Sequence, residues 1–390
     1  MRKAGILYII VLIILLPLLL VEAREKKDFF QPEYYGTGTW DRDSLGNHRI
    51  KLKVDEESRA VLVRIPWRRR DLQPDKKRII MVDPHTNQVI NNVKILTITR
   101  ELGEVVFQPV SGTGIYYLYY LPYITKGSRN YPKVIYREPM QTAEKQWLRE
   151  LDLSDTGLKK MTKAEVVQFQ AVDEFNSFYP MEIIATTAET AALVKSASKG
   201  YLVFPEIREH PIRMFRDLPW KWVREGTEKS FKGEAARNEY FTFQLGVFAA
   251  RQKLEEVEIS FSGLDRTKGT ETIPAESFTC FNCSGIDWTG KEFNKKVAVE
   301  KGRIQPFWIG IDISPETVPG LYTGRVTVHP KGLSSTDIEV SLYISEEIKK
   351  DRGDDVPGLH SRLRWLDSGI AEDSDLVKPF TAVRREGNTL

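Results

Sequence analysis

The sequence predicts a mainly β protein: two antiparallel β-sandwich-type domains joined by a small α/β segment, with an incomplete domain at the C-terminus. Three observations carry this. Short segments of period-two hydrophobicity recur along the chain, turn residues separate them, and one central stretch switches to helical spacing. At 390 residues the chain exceeds one ordinary domain, and its 41% hydrophobic share can build more than one core.

Arg2 and Lys3 precede an apolar run over 4–21, followed by Glu22, Ala23 and Arg24. A positive start, an apolar stretch and small residues at Val21 and Ala23 fit a signal peptide over 1–23. As a helix the run would span about 27 Å, just short of the ~30 Å hydrocarbon core, so a retained N-terminal anchor is the alternative and the only membrane contact expected. Pro17 favours cleavage, because it breaks the helix near the end of the run. Either route exports the rest of the chain, to a periplasmic, cell-surface or secreted location. No cysteine follows the run, which excludes a lipid anchor there.

After a polar linker over 24–36, residues 37–138 read as a first β domain. Ile50, Leu52 and Val54 alternate with Lys51 and Lys53, and turn clusters at 44–47, 55–58, 83–87 and 111–114 separate the strands. The run 114–122 is apolar on both parities, which suits a strand buried on both faces or one carrying an aromatic surface. Residues 139–226 form the connecting α/β segment. Thr162 and Glu165 make a capping box, and Ala164, Val167, Ala171, Phe175 and Phe178 then recur at helical spacing. A strand over 181–186, a second capping box from Thr186 to Glu189, a helix ending near Gly200 and a strand over 201–204 suggest a small parallel βαβ element, or two pieces packed on neighbouring domains. Residues 227–346 carry about seven alternating segments, the signature of a sandwich. Its expected core includes Ile309, Ile311, Ile313, Val326, Val328, Val340, Leu342 and Ile344. Residues 347–390 read as a charged linker and the start of a truncated further domain, with Trp365 and Phe380 covering apolar surface incompletely.

A net charge of +3 argues against a nucleic-acid partner, which would require a strong basic excess. The triplet Arg68-Arg69-Arg70, beside Asp71, reads as a solvated turn. The sequence has no nucleophile elbow, zinc-helix motif or phosphate loop, so no catalytic residue and no cofactor is assigned. The five histidines are scattered singly, and no metal site is expected. Cys280 and Cys283 sit in a loop between strands and are disulfide candidates; so short a loop would contribute about 2 kcal/mol at most.

Sugar binding is the chemistry left open. Aromatic faces meet the C–H side of a pyranose while neighbouring polar groups take its hydroxyls. Trp40, Trp67 with Arg68 and Arg69, and Tyr117 or Tyr119 have that chemistry. The loop over 204–214 gathers Arg208, Glu209 and His210, either as a ligand-facing cluster or as a salt-bridged connector.

Five segments carry a family resemblance: Leu45-Gly46-Asn47-His48-Arg49, residues 63–71 around Pro66-Trp67-Arg68, the 204–214 loop, residues 239–252, and residues 361–368. Together they resemble the N-terminal, non-catalytic region of bacterial proteins related to glycoside hydrolase family 123. The resemblance implies β-sandwich regions ahead of a (β/α)₈ barrel and β-N-acetylgalactosaminidase activity. An adjacent Asp-Glu pair on that barrel would work with the substrate's own acetamido group. No strand–helix alternation of barrel length occurs in this sequence, so that pair has no counterpart to carry over. The expected function is therefore the accessory region of an exported glycoside hydrolase acting on N-acetylhexosaminide glycans. Its partners would be a glycan or oligosaccharide and a C-terminal catalytic barrel. The rival is a free-standing carbohydrate-binding or cell-surface interaction protein without catalysis.

Overall fold

A computed structural model describes residues 35–353 apart from 228 and 288. The expected signal peptide, most of the expected linker, and the C-terminal segment with Trp365 and Phe380 lie outside the described residues. The chain divides into two compact units between Phe178 and Tyr179. No helix among the described residues is long and apolar enough to cross a membrane. The mainly β class holds in both units.

The first unit contains β1 (Tyr35–Thr37), a helical turn α1 (Arg42–Leu45), β2 (His48–Val54), β3 (Val61–Ile65), β4 (Ile79–Asp83), β5 (Gln88–Val89) and β6 (Val93–Ile98). It continues with β7 (Gly103–Phe107), β8 (Gly114–Tyr120), the hairpin β9 (Tyr123–Ser128) and β10 (Tyr131–Tyr136), helices α2 (Lys145–Glu150) and α3 (Asp155–Lys160), and β11 (Lys163–Ala171). The strands order as β5-β4-β8-β2-β11-β3-β7-β6. β11 turns the corner: its first residues pair in parallel with β3, and the rest pair antiparallel with β2. The two halves enclose Ile50, Leu52, Val63, Val105, Phe107, Leu118 and Phe169.

Here the expected organisation is corrected. Residues 163–171, read as helical from their spacing, form the strand at the centre of the first unit. A register shift between Val166 and Gln168 inserts an extra residue, so inward positions fall at mixed spacings that imitate a helical period. Phe175, which would extend that helical face, is 89% exposed. The first unit therefore runs to 178 rather than ending at 138.

The second unit opens with α4 (Thr187–Ser196), whose capping box is complete: Glu189 N–H donates to Thr186 Oγ1 at 3.2 Å, and Thr186 N–H donates to Glu189 Oε2 at 2.7 Å. Then come β12 (Leu202–Ile207), α5 (Trp220–Glu225), β13 (Ser230–Arg237), β14 (Tyr240–Phe248), β15 (Leu254–Arg266), β16 (Thr272–Ile273) and β17 (Phe278–Cys280). A small hairpin of β18 (Ser284–Ile286) and β19 (Glu292–Asn294) precedes β20 (Val297–Val299), β21 (Ile304–Asp312), β22 (Gly320–His329) and β23 (Thr336–Ile348).

One sheet is β12-β14-β21-β17 and the other is β13-β23-β22-β15-β16. Ile309, Ile311, Val340 and Leu342 are all fully buried in one core. Two expectations change. β12 pairs antiparallel with β14, so there is no parallel βαβ element, and the strand expected over 181–186 is reduced to one bridge between Ile184 and Pro219. β13 pairs in parallel with β23, which makes that sheet mixed. β14 is buried at almost every position because α5 and its flanking loops cover its second face, stacking Trp222 on Phe204 at 4.5 Å.

Candidate functional site

Helices α2 and α3 seal the outer face around Leu62, Leu96 and Val106 with Trp147 and the leucines that follow it. The outer face of β4, β8 and β2 instead lines an open cleft of about 530 Å³. Its floor follows from strand parity. Ile50, Leu52, Tyr116, Leu118 and Tyr120 point inward, which turns Arg49, Tyr117 and Tyr119 outward. Registry makes Ile80, Tyr119, Arg49 and Gln170 direct cross-strand neighbours on four adjacent strands. Trp40, Asp41 and Ser44 wall one side, Pro84 and Asn87 another, and Arg137 closes the rim.

The wall is held by local chemistry. Asp41 caps α1, accepting from Asp43 N–H at 3.0 Å and from Ser44 Oγ at 2.6 Å, and these bonds hold its carboxyl below the usual range. Gly46 ends the turn at φ 82°, a conformation glycine adopts without strain, and its carbonyl accepts from Trp40 Nε1 at 2.7 Å. Trp40 is thereby fixed edge-on to Tyr119, with ring centres 5.6 Å apart. Beside this pair lies Arg49, only 8% exposed. Its guanidinium carbon is 3.8 Å from the Tyr117 ring centre and 4.5 Å from that of Trp40. Nε donates to Gln170 Oε1 at 2.7 Å and Nη1 donates to Tyr119 Oη at 3.0 Å.

Of the sequence-predicted carbohydrate contacts, the cleft contains Trp40, Tyr117 and Tyr119. Trp67 is a core residue, 5% exposed, with Nε1 donating to the Thr99 carbonyl at 2.8 Å. Its ring faces are closed to a ligand, because it follows β3 on the inward parity. Arg68 stands outside the cleft lining at φ 46°, its N–H donating to the Glu101 carbonyl. Arg208 and Glu209 belong to the second unit, where Arg208 pairs with Glu239 at 2.6 Å and with Glu209 at 3.3 Å. Sequence reasoning missed Arg49, Gln170 and Arg137. The parity of Arg49, Lys51 and Lys53 on β2 was the available signal for the first.

The arginine triplet is not uniformly solvated. Arg69 is drawn inside, 4.4 Å from the Tyr120 ring centre and 2.6 Å from Asp71. His48 also packs on Tyr120, stacked at 5.7 Å, with Nε2 donating to the Asn176 carbonyl at 2.9 Å. Two of the segments that carry the family resemblance thus meet at one tyrosine. Burial first, and then the charge of Arg69, lower the His48 pKa from 6.5 to about 4. The unfolded chain binds that proton near 6.5 while the folded chain resists it until about 4, so stability falls as pH falls through this window. Urea unfolding at several pH values should show His48→Gln losing less stability than the wild type on acidification, by at most about 3 kcal/mol. Parallel profiles would show that His48 does not titrate in this way.

Cys280 and Cys283 are buried free thiols, not a disulfide. Cys280 points from β17 into the core, and the bond it shares with Cys283 raises its pKa and lowers that of its partner. Among the described residues no group of His, Cys, Asp and Glu could hold a metal ion.

In the 204–214 segment, which begins on β12, Glu206 is 3% exposed. It accepts from Lys221 Nζ at 2.9 Å, Trp222 Nε1 at 3.0 Å and His210 Nδ1 at 3.2 Å. Burial alone would raise its pKa, but these donors outweigh it and hold the carboxyl below its ordinary value. Fully buried Gln244 accepts from Ile212 N–H at 2.9 Å and donates to the Ile207 carbonyl at 3.1 Å. The cluster shapes a loop.

Residues 38–172 match the model of the glycoside hydrolase 123, N-terminal domain. That stretch contains every residue lining the cleft. Among solved structures, the chain is similar to a family 123 glycoside hydrolase from Clostridium perfringens, studied for glycolipid glycan hydrolysis, at 14% identity and a TM-score of 0.31. That likeness covers 38% of this chain and 28% of the enzyme. A likeness to the bacterial hydrophobin BslA has 14% identity and a TM-score of 0.20, covering 39% of this chain and 100% of that one. No curated protein matches.

Proposed function

We propose that this chain is the accessory β-domain region of an exported glycoside hydrolase acting on N-acetylhexosaminide glycans, and that its first unit holds the glycan in the Trp40–Arg49–Tyr117 cleft. The cleft carries the reading: aromatic rings stand beside Ser44, Asn87 and Arg137, within the stretch that matches the glycoside hydrolase 123 N-terminal domain. Rings of this kind suit the apolar face of a pyranose, and the flanking groups suit its hydroxyls. Bond cleavage belongs, in this reading, to a barrel domain such as the family resemblance implies. Export is supported by the signal-like pattern of residues 1–23.

Calorimetric titration of the full chain with an N-acetylhexosamine-containing oligosaccharide should give saturable binding. Trp40→Ala should weaken it about tenfold, the equivalent of roughly 1.4 kcal/mol. The same preparation should leave an aryl β-N-acetylgalactosaminide intact. Unchanged affinity in Trp40→Ala would remove the cleft from the proposal. Turnover abolished by mutating a carboxylate of this chain would overturn the accessory role.

A further inference from the structure

We propose that the cleft selects anionic saccharides, with Arg49 receiving a sulfate ester or carboxylate; this rests on the glycan reading above. Buried charges in proteins are normally paired. Elsewhere in this chain the rule is kept: Arg69 pairs with Asp71, Arg208 with Glu239, Arg213 with Glu182 and Arg266 with Glu271. Arg49 is more buried than any of these, yet among the described residues no carboxylate comes within ion-pair distance of it. Its protein partners are a neutral amide and a phenol.

Asp41 lines the same cleft but makes no ion pair with Arg49; its carboxylate turns instead to Asp43 N–H and Ser44 Oγ. The aromatic faces of Trp40 and Tyr117 attract the guanidinium and fix its plane without cancelling its charge.

One end of the guanidinium is left for a ligand. Nη2 makes no hydrogen bond to a described residue, and Arg49 lines the open cleft; Gly38 lets the chain pass close to Nη2, where a Cβ would lie 2.8 Å away. Arg137 on the rim is bound through a carbonyl, that of Asp43 at 3.4 Å, and likewise has no carboxylate partner among the described residues. A planar fork held between rings, with a second arginine nearby, matches the geometry of a sulfate or carboxylate on a sugar whose ring faces the aromatic wall.

The test titrates the full chain with four probes: a neutral N-acetylhexosamine disaccharide, its sulfated form, a uronate-containing disaccharide and inorganic sulfate. At least one charged disaccharide should bind about tenfold tighter than the neutral one, and the advantage should shrink in high salt. Arg49→Met should abolish the preference, and Arg137→Met, a rim change that leaves the floor intact, should reduce it. Circular dichroism would show whether each variant is folded. Equal affinity for charged and neutral disaccharides would overturn the anion inference and leave the glycan reading standing. Inorganic sulfate binding as tightly as the sulfated disaccharide would overturn saccharide selection. No binding of any disaccharide would overturn both.

Discussion

Replacing Glu206 by alanine is expected to cost about 3–5 kcal/mol of the second unit's stability, the usual effect of breaking a buried ion pair from one side. The carboxylate is the common acceptor for Lys221, Trp222 and His210, so one truncation leaves an ammonium and an indole N–H without their partner. Lys221 keeps Glu225 at 3.0 Å, which is why the cost should not exceed this range. Glu206→Gln should cost less, because the amide oxygen can still accept from Trp222 while only the charge is lost. Hydrogen exchange of the β14 and β21 amides in the full chain would read both changes. Protection altered by less than about 1 kcal/mol in the alanine variant would mean that the network is dispensable, contrary to the burial argument. The pH sign follows from the depressed pKa: the stabilisation is present above about 4.5, the ordinary value, and is lost as pH falls through the lowered one.

Legibility followed the strength of the local period. Strands β21 and β23 alternate without interruption, and their inward residues could be named from sequence because each step of two returns to the same face. β11 could not be read this way, since its bulge destroys the alternation at the point where the strand changes partners. The site suffered from a different blindness. Trp40 and Trp67 are alike in composition and setting, each near arginines and turns, and only the packing decides that one walls a cleft while the other fills the core. Arg49 and Arg69 make the complementary case. Both stack on tyrosine, but a carboxylate two residues away accompanies Arg69 alone, and that difference was visible in the sequence. What no one-dimensional reading supplies is that Tyr119, Arg49 and Gln170 share a row, because registry across β8, β2 and β11 is set by turns and corners far from all three.

Truncating Phe243 to alanine should also cost about 3–5 kcal/mol, as for other fully buried aromatics. Phe243 is fully buried on β14, stacked on Phe231 at 4.3 Å with an interplanar angle of 17°. It stands opposite Ile309 on β21, while Phe231 comes from β13 in the facing sheet, so the pair joins the two sheets across the core. Removing the ring deletes its transfer free energy and leaves a cavity that a rigid sheet on each side is poorly placed to close. Ile311→Ala, at a fully buried position on the neighbouring strand, should cost about 2–5 kcal/mol by the same mechanism. Tyr343→Ala is the control: it lies on β23 between buried Leu342 and Ile344 but is 48% exposed, and its loss should stay near 0.5 kcal/mol. The three changes measured by urea unfolding test parity directly, because Tyr343 is as apolar in bulk as its neighbours and differs only in the face it presents. Equal losses for Phe243→Ala and Tyr343→Ala would contradict the two-sheet core, since they would require β23 to be buried on both faces.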